Sequence, residues 1–359
     1  MQFQRFFASG PIHVDDLTVE ERQAMQREIQ TRGFAVTPRP ILADDTRRAL
    51  HFRYESLFRG DFETGVYPDE WHWRQGLSLP HVTREICNAY KSDRLVASVV
   101  LHPRLAALAA KLQGWSSVRM GQDDVIWKPP IGVPHHDSRH PHHHHRHRPP
   151  KTTVGYHQDA QYISTQFEPY NNNMVTVWMA LDDADEETGC VEYVFGSHLW
   201  KPNHSATEES SSTLTFFSNK DNEGDEKEEE NDGLPNHRNP IPGDLSKQEI
   251  VCAKCPAGHA IFHHQDVWHG SGPNQSTTRH RRALVAHLLN GNVQWKQQQS
   301  QQPNSKTTLP PWTDTTYIYG RYRRSGTREL DEDFFPILYA SPESGKTRTP
   351  WLETYLDHV

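Results

Sequence analysis

The stretch Gly155-Tyr156-His157-Gln158-Asp159, taken with Trp268-His269-Gly270-Ser271-Gly272-Pro273-Asn274 and Arg281-Arg282-Ala283-Leu284, decides how this chain is read. In an extended strand, residues i and i+2 face the same side. His157 and Asp159 then offer an imidazole nitrogen and a carboxylate oxygen to one metal ion. A second imidazole from His269 would complete two histidines and one carboxylate on one face of an octahedron. That set leaves the opposite positions open, as non-haem Fe(II) oxygenases require. An open iron site needs a co-substrate that supplies electrons, and 2-oxoglutarate presents a distal carboxylate. A guanidinium fork matches a carboxylate in plane and charge, and Arg281, on the strand after His269, is the candidate.

Several blocks run in order along the chain. They are Gln122-Asp-Asp-Val-Ile-Trp-Lys128-Pro-Pro, Gly155-Tyr-His157-Gln-Asp159, Val175-Thr-Val-Trp178-Met-Ala-Leu-Asp-Asp183, Glu187-Thr-Gly-Cys-Val-Glu-Tyr-Val-Phe-Gly-Ser-His198 and His269-Gly-Ser271-Gly-Pro-Asn274. In these blocks the sequence resembles the phytanoyl-CoA dioxygenase family of Fe(II)/2-oxoglutarate-dependent oxygenases. A lone His-x-Asp occurs by chance in many proteins, whereas an ordered series is specific. The resemblance implies a double-stranded β-helix (a jelly roll, cupin-like) and Fe(II), 2-oxoglutarate and O₂ as cofactor and co-substrates. It also implies a small-molecule substrate hydroxylated at an aliphatic C–H, with release of succinate and CO₂.

The distal histidine has rivals in His259, His263, His264, His280 and His287. His269 is preferred because a tight Gly-Ser-Gly-Pro-Asn turn follows it and because the family's distal ligand occupies that motif. His263 and His264 read as neighbouring strand residues, one of which lines the pocket. The resemblance places Arg281, first of the Arg-Arg-Ala run, on the far carboxylate of 2-oxoglutarate, with Ser271 donating a hydroxyl. Arg282 alternates to the other face. Trp178 matches a family position that packs on 2-oxoglutarate; a plain core tryptophan is the alternative. Lys128 and Gln122 lie an even number of residues apart and so share a face. In related hydroxylases such a lysine points to 2-oxoglutarate and such a glutamine to substrate. Gln161, Tyr162 and Trp268 are placed in the substrate pocket by their closeness in sequence to the ligands. Asp159 favours hydroxylation over halogenation, since a small residue there would free a position for halide. Two other readings stay open: a non-catalytic metal-binding barrel and a Zn²⁺ hydrolase using the same ligands.

At 359 residues the chain is read as one oxygenase domain with low-complexity insertions at about 133–150 and 204–242. The first holds eight histidines and the second the acidic run Asp221 to Asp232. Much of the net charge of −8 comes from that run, and an acidic balance argues against nucleic-acid affinity. No long apolar stretch suggests a membrane span. The N-terminal residues lack a secretory h-region, and the C-terminus is not a Ser-Lys-Leu address. Four cysteines read as a reduced, cytoplasmic protein, with Cys252 and Cys255 as small strand residues.

The order is helices first, then a mainly β body. Thr18-Val-Glu-Glu21 predicts a capped helix to about Thr31, ended by Gly33 before a strand Phe34–Thr37. Asp44 or Asp45 caps a helix to about Phe58, and residues 59–85 show turn chemistry. Two helices follow, Asp93–Leu101 and Pro103–Leu112, and from Val118 onward short strands alternate with turns. The N-terminal helices are expected on the outer face of the barrel. Tyr317–Arg324 is read as a lid or strand on the barrel, and Asp331–Leu338 and Thr349–Leu352 as core anchors.

Overall fold

The computed structural model describes residues 10–131, 152–200, 247–297 and 318–357; both predicted insertions lie outside them. Thr18 and Glu21 form the reciprocal capping box and start helix α1 (Val19–Arg32), with Met25 and Ile29 buried. Gly33 ends it at φ 90°, beside Val267, where a Cβ would come within 2.6 Å. Strand β1 (Phe34–Val36) follows, then helix α2 (Asp44–Phe58). The expected aspartate cap is corrected by one residue. Ala43 is the N-cap, and Asp44 and Asp45 sit in the first turn, where their charge still suits the positive helix end. Leu50, Tyr54, Leu57 and Phe58 form its buried stripe.

The turn-rich stretch conceals two short strands, β2 (Glu70–Trp71) and β3 (Arg84–Cys87). Asp93 caps helix α3 (Arg94–Val100), and Pro103 occupies the first turn of helix α4 (Pro103–Gln113). Contrary to the sequence reading, Arg94–Gln113 is long and apolar enough, by length and composition, to cross a membrane. Here that stretch is 72% buried inside the protein and breaks into two helices before Pro103.

The β body comprises β4 (Ser117–Lys128), β5 (Val154–His157), β6 (Phe167–Glu168), β7 (Met174–Ala180), β8 (Val191–Val194) and β9 (Ile250–Ala253). It continues with β10 (Ala260–His264), β11 (His269–Ser271), β12 (Arg281–Asn290), β13 (Gln294–Trp295) and β14 (Ile337–Ala340), before helix α5 (Trp351–Leu356). The larger antiparallel sheet runs β1-β10-β7-β12-β4-β3-β2, with β14 also on β4. The smaller runs β5-β11-β8-β9. Strand alternation sorts the large sheet's side chains into two layers. Val175, Val177, Met179, Leu284, Ala286 and Leu288 pack on the helices. Trp178, Ala180, Ala283 and Val285 meet Val191 and Tyr193 of the smaller sheet. The result is the expected double-stranded β-helix with N-terminal helices on its outer face. Leu338 and Leu352 of the predicted C-terminal anchors are fully buried in the helix-side core.

The cysteine expectation is corrected. Cys190 and Cys252 are joined by a disulfide, their Cα atoms 6.3 Å apart. Glu192 pairs with Cys252 across β8 and β9, which brings Cys190 diagonally beside it. Cys255, read with Cys252 as a small strand residue, is a buried free thiol.

Candidate active site

β5 and β11 pair antiparallel with His157 opposite His269, so the two imidazoles emerge side by side, ring centroids 4.3 Å apart. β5 ends at His157, and Asp159 begins a short 3₁₀ turn, not a further strand position. Gln158 between them is extended (φ −120°, ψ 130°), so the same-face logic still holds for Asp159. Asp159 Oδ1 lies 3.5 Å from Nε2 of His157 and 3.5 Å from Nε2 of His269. All three residues are buried, and their ligand atoms lie within 4.8 Å of one another.

The backbone fixes which nitrogens face the cluster. Nδ1–H of His157 donates to the Gly155 carbonyl at 2.9 Å, and Nδ1–H of His269 to the Val267 carbonyl at 3.0 Å. Each Nε2 is thereby turned toward the Asp159 carboxylate. Burial and the neighbouring His157 hold His269 well below the ordinary imidazole range, and hence neutral. Burial alone would raise Asp159; His269, His157 and His263 outweigh it and keep the carboxyl well below its usual range. Two imidazole nitrogens and one carboxylate oxygen are the donor set a divalent first-row cation takes, and they fit one here.

Arg281 starts β12 directly opposite Lys128, the end of β4. Both are buried. Lys128 Nζ donates to Ser271 Oγ and to the Gly272 carbonyl, each at 2.6 Å. Arg281 Nη2 reaches Ser271 Oγ at 3.3 Å, and its Nε–H donates to the Gly189 carbonyl at 3.1 Å. Its guanidinium lies over the Trp178 ring, 5.1 Å from the centroid. Among the described residues no carboxylate pairs with either cation. Burial pushes Arg281 down to about 10. Burial and the Arg281 charge push Lys128 well below the lysine range. A desolvated guanidinium and a desolvated amine around one hydroxyl form a cradle for an anion with two oxygens, so a carboxylate of 2-oxoglutarate fits it. Arg282 turns to the other face and pairs with Asp182 at 2.8 and 2.9 Å.

The predicted substrate contacts divide. Gln122 shares the inner face of β4 with Lys128 and is buried; its amide donates to Asp124 at 2.7 Å, and it accepts from the Tyr319 hydroxyl at 2.7 Å. The Tyr162 ring meets His157 edge-on, centroids 5.9 Å apart. Gln161 is exposed. Trp268 is not brought to the cluster: it alternates away from His269 and packs with Tyr156 and Val194.

The sequence reading missed several residues around Asp159. Thr176 Oγ1 donates to Asp159 Oδ2 and lies 2.9 Å from His287 Nδ1. His263, expected only as a strand residue or pocket lining, donates from Nε2 to Asp159 Oδ2 at 2.8 Å and accepts from the Tyr193 hydroxyl. His287 Nε2 donates to Asp124 Oδ2 at 2.9 Å. The two-residue period carried this signal, since Thr176 shares the face of Trp178, and His287 that of Arg281. Two further donor groups, Glu70–His72–Cys87 and Glu85–Cys87–Asp124, lie along β2, β3 and β4 and share Cys87.

A family model for phytanoyl-CoA dioxygenase (PhyH) matches residues 29–283. The chain belongs to the phytanoyl-CoA dioxygenase family. This family consists of non-haem, 2-oxoglutarate-dependent oxygenases. Its matched span contains every residue of the three-ligand cluster and of the Lys128–Ser271–Arg281 cradle. Among solved structures, the chain is similar to SnoN, a non-heme alpha ketoglutarate dependent epimerase from nogalamycin biosynthesis. The two share 20% identity over 89% of this chain and 99% of that one, with a TM-score of 0.57. A complex of SnoN with Fe³⁺, alpha ketoglutarate and nogalamycin RO gives a TM-score of 0.56, at 20% identity over 89% of this chain and 100% of that one. SnoK, a carbocyclase from the same biosynthesis, shares 19% identity over 80% of this chain and 89% of that one, with a TM-score of 0.52. These likenesses establish the fold that the phytanoyl-CoA dioxygenase family shares with them. No curated protein sequence matches the chain.

Proposed function

We propose that this protein is an Fe(II)- and 2-oxoglutarate-dependent dioxygenase that hydroxylates an aliphatic C–H of a small molecule, releasing succinate and CO₂. The observation that carries this reading is the pairing of two sites between the two sheets, the ligand cluster at β5 and β11 and the cradle where β4 and β12 meet Ser271 of β11. His157, Asp159 and His269 converge at 3.5 Å contacts, and the two buried basic groups Arg281 and Lys128 pair with no carboxylate among the described residues. Iron and 2-oxoglutarate, when bound, supply O₂ activation coupled to oxidative decarboxylation.

The chain's own residues do the rest. The Gly155 and Val267 carbonyls hold the two imidazoles with Nε2 inward. Arg281 and Lys128 grip a carboxylate, and Ser271 fixes the spacing between them. Trp178 supports the guanidinium and closes that end to water. Asp159 occupies the position that a halogenase would leave to halide, which supports hydroxylation. The Gln122 end of the face, on the far side of Asp124 from the cradle, is assigned to substrate.

The test is succinate formation by the full chain from 2-oxoglutarate with Fe(II) and O₂. Substrate-independent turnover is expected in the wild type and absent in His157→Ala and His269→Ala. Turnover of a substrate without O₂ would instead identify a hydrolase. Metal binding without any succinate, unaffected by His157→Ala, would identify a metal-binding barrel. With a substrate in hand, one oxygen atom from ¹⁸O₂ should appear in the product; a product isomerised or cyclised without it would overturn the hydroxylase assignment.

A further inference from the structure

On the reading of His157, Asp159 and His269 as iron ligands, the two oxygens of Asp159 have different surroundings. Oδ1 faces the Nε2 atoms of both histidines at 3.5 Å. Oδ2 is turned away and accepts two hydrogen bonds, from Thr176 Oγ1 and from His263 Nε2 at 2.8 Å. Both donors are themselves held. The Tyr193 hydroxyl donates to His263 Nδ1 at 2.8 Å, so the Nε2–H tautomer is the one that faces Asp159. Thr176 has a single hydroxyl hydrogen, already given to Asp159. Its oxygen then accepts from His287 Nδ1 at 2.9 Å, and His287 Nε2 donates to Asp124 at 2.9 Å. Every one of these residues is buried, so no bulk water competes for the donors.

A carboxylate binds a cation through one oxygen or through both. With both, Asp159 would occupy one of the three positions left by two histidines and a single carboxylate oxygen. A keto acid held through two oxygens would need two of those positions, and the third would have to stay open. Rotating Oδ2 onto the metal would break the bonds from Thr176 and His263 and leave two buried donors unsatisfied, a cost of about 1–3 kcal/mol each.

We propose that Thr176 and His263 are positioning residues that restrict Asp159 to one-oxygen coordination and so keep three positions open on the metal. They touch neither substrate nor the reacting atoms; they act through the carboxylate.

The experiment is an anaerobic titration of the full chain with Fe(II), then with 2-oxoglutarate. It reads metal affinity and the visible charge-transfer absorption of the chelated complex, both independent of turnover. Thr176→Val keeps shape and strand propensity but removes the hydroxyl, and Thr176→Ser keeps the hydroxyl. His263→Phe removes the donor, and His263→Gln keeps an N–H. Thr176→Val and His263→Phe should weaken Fe(II) binding roughly 10–100-fold and diminish the absorption. Thr176→Ser and His263→Gln should recover most of both. Melting temperatures of the metal-free variants identify any that fail to fold, and the Thr176 pair, matched in strand preference, carries the comparison if His263→Phe does. Wild-type affinity and absorption in Thr176→Val would overturn the proposal. A wild type that binds no Fe(II), or shows no absorption with 2-oxoglutarate, would instead overturn the iron reading beneath it.

Discussion

At the scale of single residues, the candidate site is governed by uncompensated charge. Arg281 is buried with no carboxylate partner among the described residues, and a lysine cannot reproduce its planar fork. Arg281→Lys should raise the KM for 2-oxoglutarate by roughly tenfold, about 1.4 kcal/mol, with a smaller change in kcat, since the ammonium keeps the charge but loses the bidentate fork. Steady-state kinetics with 2-oxoglutarate varied would check this. Lys128, pushed well below the lysine range by burial and by Arg281, should take up a proton when a dicarboxylate binds. The sign follows from the depressed value in the free protein. Below it, Lys128 is already charged; above it, binding must recruit the proton. Affinity for 2-oxoglutarate should therefore fall as pH rises through that region, by at most about tenfold per pH unit. Calorimetry in buffers of different ionisation enthalpy measures the uptake. His157, Asp159, His269 and Arg281 were legible in the sequence because motif and strand period agree on them. Tyr319 was legible only as part of a lid or strand on the barrel; it lies in a 3₁₀ turn, and nothing in its neighbourhood announces that its hydroxyl will meet Gln122.

At the scale of elements, helix α2 bonds to the Leu181 carbonyl through Arg47 and His51, and its buried tie to the sheet is Tyr54 hydroxyl to the Ala283 carbonyl at 2.7 Å, two residues along β12 from Arg281. Tyr54→Phe should lower stability by about 1 kcal/mol, seen in chemical denaturation, while the KM for 2-oxoglutarate changes little. The turn before β8 is less forgiving. Gly189 sits at φ 74°, and a Cβ there would lie 2.4 Å from the Gly272 carbonyl oxygen and 2.9 Å from that of Pro273. Gly189 also supplies the carbonyl that receives Arg281 Nε–H. Gly189→Ala should thus destabilise the fold and also weaken 2-oxoglutarate binding, where Tyr54→Phe affects stability alone. Paired melting and binding measurements on the two variants separate these effects. The helices were readable from caps and apolar spacing. β2 and β3 were not, because strands of two and four residues carry too few positions to display a period.

At the scale of the molecule, the inner wall is polarised, with Arg281 and Lys128 at one end and Glu85 and Asp124 along β3 and β4. Burial, and then the charge of Asp124, raise Glu85 to about 8 from its ordinary 4.5. A carboxyl raised on folding contributes stability below its unfolded value and loses it as pH climbs through the folded one. Glu85→Gln should therefore melt above wild type at pH 9, and the gap should close below about pH 4.5; thermal melts across pH test it. The order of helices before strands made the fold class legible. The disulfide was not legible, because its cysteines are 62 residues apart and meet only through the β8–β9 register. The placement of β4 carries a last consequence. It leaves the ribosome early, yet one edge pairs with β12 throughout, and Ser117–Arg119 on the other edge wait for β14 near the end of the chain. Until those later strands emerge, the nascent polypeptide holds a twelve-residue strand with one edge bare and the other covered only where β3 pairs Asp124–Trp127, open to adhesion with its copies. Recombinant yield should accordingly depend on translation speed and chaperone supply more than on the stability of the finished protein.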